Sequence, residues 1–407
     1  MNRVVVTGVG AITPVGNDVG TMWENLLLGR HGIGTVTKFD TEGYKSTLAA
    51  EVKGFDPLLY MEKNETRRLD LYSQYAIAAA VQAVQDSGIE GKIDPNRFST
   101  CFGSGIGGIV TFENEHSKLV AGGPRKVSPM FIPMMIANLA AGNLAIRFNA
   151  RGSCTCVVTA CATGADAIGS AYRAIKHGYT DAAIAGGSEA AITQMGVSGF
   201  MNMTALTTSS DPDAASMPFD RRRSGFVIGE GAGAVILEEY NHALARGAKI
   251  YGEVKGYGAT CDAHHITAPA PDGDNAARAI KDAYTEAGGA AGAVYINAHG
   301  TGTPLNDVTE ARAIKTAFGG DTSRVFVSST KSMTGHMLGA AGAVEAIISL
   351  FALRDGKIPP TVGLYDQDPE CDIDCVPQKA REISPELALS VSLGFGGHNA
   401  CLAFSKV

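Results

Sequence analysis

Four short stretches hold residue types that could do chemistry. Cys161 stands in Val158-Thr159-Ala160-Cys161-Ala162-Thr163-Gly164, where the helical stretch Ala162–His177 is predicted to begin. A thiol at the first turn of a helix meets the positive end of the dipole, which favours thiolate and hence a nucleophile. Ala160, Ala162 and Gly164 leave room for a thioester. Taken alone, Cys161 has a plainer reading, a buried structural cysteine. His299, in Tyr295-Ile296-Asn297-Ala298-His299-Gly300-Thr301-Gly302-Thr303, sits where a predicted strand opens into a Gly/Thr loop. Proteins with alternating strands and helices put catalytic groups there, although a core histidine remains the alternative. The third stretch, Ser329–His336, places Lys331 and His336 five residues apart on a Gly-flanked loop, and Lys331 reads equally as an exposed loop charge. The fourth, Gly394-Phe395-Gly396-Gly397-His398-Asn399, has glycines that free backbone N–H groups to face a ligand, as an oxyanion hole requires. Cys154 and Cys156 precede Cys161, but this spacing lacks the second ligand pair of a zinc site, so no metal is expected.

These groups need rigid supports, and the chain offers an alternation of them. Glycine-bounded β-branched runs recur at Val4–Val6, Ala182–Ala185, Ala234–Leu237, Val294–Asn297, Val325–Ser329 and Ser390–Leu393. Between them lie alanine-rich stretches at helical spacing, Gln74–Asp86, Gly164–His177, Ala276–Ala287 and Gly339–Leu353. Short apolar strands alternating with helices predict an α/β fold with sheets buried on both faces. Cys156–Val158 reads as a strand leading to Cys161, and Glu238–Ile250 as a helix followed by a turn. With a fresh strand from Tyr251, the expected division is 1–250, carrying Cys161, and 251–407, carrying His299, Lys331, His336 and the glycine-rich loop. No internal sequence repeat is evident.

Bulk properties exclude several classes. With 407 residues, two domain-sized units are expected, and 50 glycines, about 12%, mean many tight turns. A formal charge of −7 argues against a nucleic-acid partner. Eight cysteines in so long a chain read as reduced intracellular thiols. The run Val4–Ile12 is glycine-interrupted and lacks a cleavage pattern, so it reads as a strand rather than a signal peptide. No apolar stretch reaches the ~20 residues of a membrane helix. A cytoplasmic protein is expected, with Trp23 in its core.

Jointly the four stretches are specific. TACATG around Cys161, NAHGTGTP around His299, STKSMTGH ending at His336 and GFGGHN near the C-terminus resemble, in order and spacing, the β-ketoacyl-acyl carrier protein synthases. The type II enzymes of bacterial fatty-acid synthesis are the nearest in pattern. The likeness runs from Arg3-Val4-Val5-Val6-Thr7-Gly8 to the last strand, through PFD at Pro218–Asp220 and GEGAG at Gly229–Gly233. It implies a thiolase-like fold, two similar α/β halves stacked as a five-layered αβαβα sandwich, usually a homodimer. It implies Cys161 as the acylated nucleophile, His299 and His336 as the histidine pair, and Lys331 as a structural lysine paired with Glu345. Phe395 falls at a mobile gate, and the N–H groups of Cys161 and Phe395 at the oxyanion hole. Thr301 and Thr303 match binders of the phosphopantetheine arm, Thr267 is a further substrate-binding position, and Ile106 and Phe200 line the acyl tunnel.

The implied reaction suits these residues. A cysteine accepts the acyl group, and two neutral imidazoles donate N–H bonds to the enolate formed when a malonyl thioester loses CO2. Priming ketosynthases carry asparagine in place of His336 and thiolases use a second cysteine as base, so the pattern resembles the elongating class. No cofactor is implied, because the substrates ride on the phosphopantetheine of acyl carrier protein. That acidic partner would meet basic surface. Lys63, Arg67 and Arg68 form one cluster and Arg125 and Lys126 another, both at carrier-contact positions in the resembled family; Arg221–Arg223 form a third. A polyketide ketosynthase, a non-catalytic heterodimer partner and a Cys-His hydrolase are the competing readings.

Overall fold

The computed structural model describes residues 1–407. Ten strands build two layers. The first uses β1 (Val4–Ile12), β2 (Phe98–Gly103), β3 (Cys154–Thr155), β4 (Ala182–Glu189) and β5 (Gly231–Glu239). The second uses β6 (Gly252–Cys261), β7 (Val294–Asn297), β8 (Val325–Ser328), β9 (Leu387–Gly394) and β10 (His398–Ser405). Their spatial orders are β1-β5-β4-β2-β3 and β6-β10-β9-β7-β8. Each layer therefore runs first, fifth, fourth, second, third in its own chain order. The pairing sense repeats as well: two antiparallel joints are followed by two parallel ones in both layers. The halves are topological copies although their sequences show no repeat. They join where Val4–Val6 pairs with Gly252–Val254.

Six helices complete the sandwich: α1 (Leu71–Ser87), α2 (Leu139–Arg147), α3 (Thr163–Lys176), α4 (Asp274–Glu286), α5 (Pro304–Ala317) and α6 (Ala341–Asp355). α1 and α2 cover the outer face of the first sheet, and α4 and α5 that of the second. α3 and α6 fill the space between, packed against inward residues of both sheets. Enclosure on all sides explains why α6 is buried at every residue from Ala341 to Leu353 and has no polar face. Ile347, Ile348 and Leu350 are fully buried there, and each such side chain contributes roughly 1.5–3 kcal/mol. The two central helices approach so closely that a Cβ on Gly164 would meet Ala343 N at 2.7 Å.

Two local expectations fail. The strand before Cys161 is Cys154–Thr155, and residues 156–158 are a loop. The apolar valines there run along the turn into the site rather than pairing in the sheet. Glu238 and Glu239 lie in β5, and the helix is only Tyr240–Ala245. Glu238 is fully buried because Thr7 Oγ1 and the Arg246 guanidinium both donate to it, which lets an acidic residue sit inside a strand. Trp23 is buried as expected, its indole N–H donating to Asp355 at 2.7 Å.

Candidate active site

Both halves contribute reactive groups, each from the segment that follows a strand of the sheet. Cys161 lies in the turn Ala160–Ala162 just before α3, and His336 just before the turn Leu338–Ala340 that opens α6. Cys161 is the middle residue of its turn, the place Gly339 takes in the other, and His336 stands two residues before that second turn. His299 follows β7, and Phe395 follows β9. All four thus stand past the carboxyl ends of strands, the usual address of sites in such sheets.

Cys161 is buried in an apolar cluster with Leu338, Val197, Leu206 and Phe226. Burial pushes its thiol up to about 12; Lys331 and the Phe395 N–H oppose this, while the Glu189 carboxylate adds to it. Burial thus opposes the thiolate that a position at a helix terminus would favour, and holds the group as a thiol.

The rings of His299 and His336 stand 5.2 Å apart at 87°. Burial holds both well below 6.5, helped by the nearby Lys331 charge, so both are neutral at neutral pH. Each Nδ1 is buried without a hydrogen-bond partner. His336 is fixed through its backbone, donating to Val227 O at 2.7 Å and accepting from Gly229 N at 2.9 Å, and Phe226 packs edge-on against its ring at 5.1 Å. His299 is fixed by Glu310, whose two oxygens accept from the His299 and Gly300 N–H groups at 2.7 Å each. Burial pushes Glu310 up to about 7 against those donors. Lys331 is no surface charge. It is buried in an ion pair with Glu345, whose other oxygen lacks a partner and whose carboxyl burial pushes up.

Most of the remaining predicted residues lie in loops and on the surface. Thr301 and Thr303 share a 3.0 Å hydroxyl contact. Thr267 is half-buried beside His265, and the Gly396 N–H donates to its neighbour Ile266 at 2.8 Å, tying that loop to the Phe395 loop. Phe395, Phe200, Phe226 and His336 form a run of aromatic contacts. Ile106 is 40% exposed. Lys63, Arg67 and Arg68, like Arg125 and Lys126, are exposed on the surface; Arg68 lines a cleft with Met130 and Pro133. The third basic cluster is not free. Arg221 pairs with Asp366, Arg222 with Asp220 and the buried Arg223 with Asp368. Arg223 also donates to Pro304 O at 3.0 Å, bracing the Thr301–Thr303 loop. Glu310 and Phe226 escaped the reading of the sequence, and Arg223 was read there as surface charge rather than as a brace. The one available signal was Asp307 and Glu310 three apart on α5, acidic groups on a face turned to the core.

Beta-ketoacyl synthase, N-terminal domain, matches residues 1–243, and Beta-ketoacyl synthase, C-terminal domain, matches 251–365. A 3-oxoacyl-[acyl-carrier-protein] synthase 2 of Synechocystis sp. is 50% identical, covering 99% of this chain and 98% of the relative. The protein of that name in Staphylococcus aureus is 49% identical over the same shares. Among solved structures, the ishigamide ketosynthase/chain length factor superposes with TM-score 0.93 at 35% identity, covering 100% of this chain and 99% of that one. A Beta-ketoacyl synthase from Burkholderia phymatum gives TM-score 0.92 at 34% identity, with both chains fully covered. A type II PKS ketosynthase in complex with its acyl-carrier protein gives 0.92 at 32%, covering 100% and 99%.

Proposed function

The chain belongs to the beta-ketoacyl synthase family, and from that premise we propose that it elongates acyl chains by decarboxylative condensation in type II fatty-acid synthesis. The observation that carries the mechanism is a buried cysteine and two neutral imidazoles, all three within electrostatic reach of the buried Lys331–Glu345 pair. The Cys161 sulfur attacks the thioester carbonyl of an acyl-acyl carrier protein and expels the phosphopantetheine thiol. The Cys161 thiol proton passes during attack to the departing phosphopantetheine sulfur, because burial disfavours a standing thiolate. Malonyl-acyl carrier protein then enters past Thr301 and Thr303. Its carbon–carbon bond to the carboxylate breaks, CO2 departs, and the electron pair becomes an enolate whose oxygen accepts N–H bonds from His299 and His336. The enolate carbon attacks the acyl-Cys161 carbonyl. The oxyanion is held by the Cys161 and Phe395 N–H groups, each such donor typically worth about 3–4 kcal/mol. Collapse expels the Cys161 sulfur and releases a β-ketoacyl product two carbons longer.

No dissociable cofactor enters this scheme. The two functional halves are 1–250 and 251–407, and acyl carrier protein docks on Lys63, Arg67, Arg68, Arg125 and Lys126. A homodimer is supported by the exposed edge strand β3 and by Ile146, 81% exposed on the adjoining α2; light scattering that returned a one-chain mass would refute it. No helix is long and apolar enough to cross a membrane, and we place the enzyme in the cytoplasm with its carrier. A polyketide ketosynthase is the second reading, favoured by the fold neighbours at 32–35% identity.

Intact-mass analysis tests the proposal. The protein is mixed with acyl-acyl carrier protein and then with malonyl-acyl carrier protein. An acyl adduct on Cys161 that is replaced by a two-carbon-longer β-ketoacyl product is expected. Absence of the adduct would point to a non-catalytic partner, loss as free acid to a hydrolase, and repeated unreduced extension to the polyketide reading.

A further inference from the structure

Glu189 lies in none of the four motifs, yet its side chain is fully buried at the end of β4 and all its partners are neutral. Oε1 accepts from the Ser104 hydroxyl at 2.8 Å and the Ile106 N–H at 3.1 Å. Oε2 accepts from the Gly105 N–H at 2.8 Å and the Gly339 N–H at 3.0 Å. Two donors on each oxygen fill the lone-pair sites of a carboxylate. The Ser104 hydroxyl in turn accepts from the Gly107 N–H at 3.0 Å, so the whole turn 104–107 hangs on one side chain. That turn carries Ile106. Gly339 lies three residues beyond His336 and directly after Leu338, which packs in the same apolar cluster as Cys161. A Cβ on Gly339 would press on Glu189 Oε2 at 2.8 Å, which leaves this junction no slack. Burying a carboxylate without a cation is costly, and here the cost falls where three segments of the site converge.

We propose that Glu189 is a positioning residue that locks the Ile106 turn to the segment bearing His336, and thereby sets which acyl chains load onto Cys161. The inference deepens the condensing-enzyme reading and rests on it. Glu189→Gln keeps the shape but turns one acceptor oxygen into an amino group that faces donors, which opens one side of the joint. The rate of Cys161 acylation, followed by intact mass with short- and long-chain acyl carrier protein, should change its long-to-short ratio by roughly fivefold or more, as expected for one lost hydrogen bond. Ser104→Ala, which removes one donor and the link to Gly107, should move the ratio the same way by less. A second readout separates positioning from general loosening. The Glu189 charge opposes ionisation of Cys161, so the pH profile of iodoacetamide alkylation should move to lower pH in Glu189→Gln and stay in place in Ser104→Ala. An unchanged acylation ratio in both variants, with normal wild-type elongation, would overturn the proposal; if Glu189→Gln fails to fold, an unchanged ratio in Ser104→Ala does so alone. A wild-type chain that never acylates would overturn the condensing-enzyme reading instead, and this inference with it.

Discussion

At the scale of single residues, the site is an apolar pocket in which charge is tolerated only where it is paired or shared. Lys331 is neutralised by Glu345, and the two histidines are uncharged. Cys161→Ala should therefore remove the acyl adduct and condensation while leaving the pair able to release CO2 from malonyl-acyl carrier protein, which a labelled-CO2 assay would detect. Loss of both activities would show that the histidines do not act on malonyl alone. The same burial sets a pH dependence. The folded histidines titrate well below 6.5, so from 6.5 downward the unfolded chain binds more protons than the folded one. Their stabilisation is complete above 6.5 and is lost as the pH falls, at up to about 1.4 kcal/mol per pH unit for each histidine. Condensation rate should stay level through 6.5, whereas urea midpoints should already be dropping. A rate that fell with an ordinary histidine midpoint would contradict the buried, neutral pair.

At the scale of elements, two central helices whose N-terminal turns present the nucleophile and His336 must cross at a fixed separation. Gly164 lies at that crossing, with Gly339 O and Ala343 N within about 3 Å of any added Cβ. Gly164→Val should destabilise the fold by about 1–3 kcal/mol through overpacking, measured by chemical denaturation, and should reduce condensation more than the stability loss explains. An unchanged denaturation midpoint would mean that the helices separate freely. The loops obey similar logic. The Phe395 and Thr267 loops are linked through Gly396 and Ile266, and Arg223 braces Thr303 and Pro304 from behind. Arg223 is thus spent on architecture, which is why a basic triplet in the sequence leaves no basic patch on the surface.

For the whole molecule, a net charge of −7 must be reconciled with an acidic partner. Unpaired cations concentrated at one mouth would meet this need, since local potential rather than net charge steers association. Replacing Lys63, Arg67 and Arg68 by Glu should raise KM for acyl-acyl carrier protein about tenfold or more at low salt, with kcat for a small pantetheine thioester unchanged, and the difference should shrink as salt screens it. A salt-independent KM would remove this face from the docking surface.

Most of the chemistry was legible in the sequence because catalytic geometry here depends on short contiguous motifs. A cysteine, a histidine or a glycine-rich turn is positioned by its immediate neighbours and by the strand before it, and both are local. The alternation of strands and helices likewise follows from periodicity, and the expected α/β sandwich is the fold observed. What the tertiary structure alone decided is everything that depends on distant segments meeting. The twin topology of the halves was implied by the family resemblance alone and shows itself only in the strand pairing, because different side chains fill equivalent places. Glu189 and Glu310 look like ordinary acidic residues until three distant segments fold their backbone N–H groups around them. Glu238 entered a strand because Arg246 and Thr7 satisfied it there. The protonation of Cys161 depends on the fold in the same way: helix position is a local property and favours thiolate, whereas burial is a property of the assembled core and pushes the thiol up.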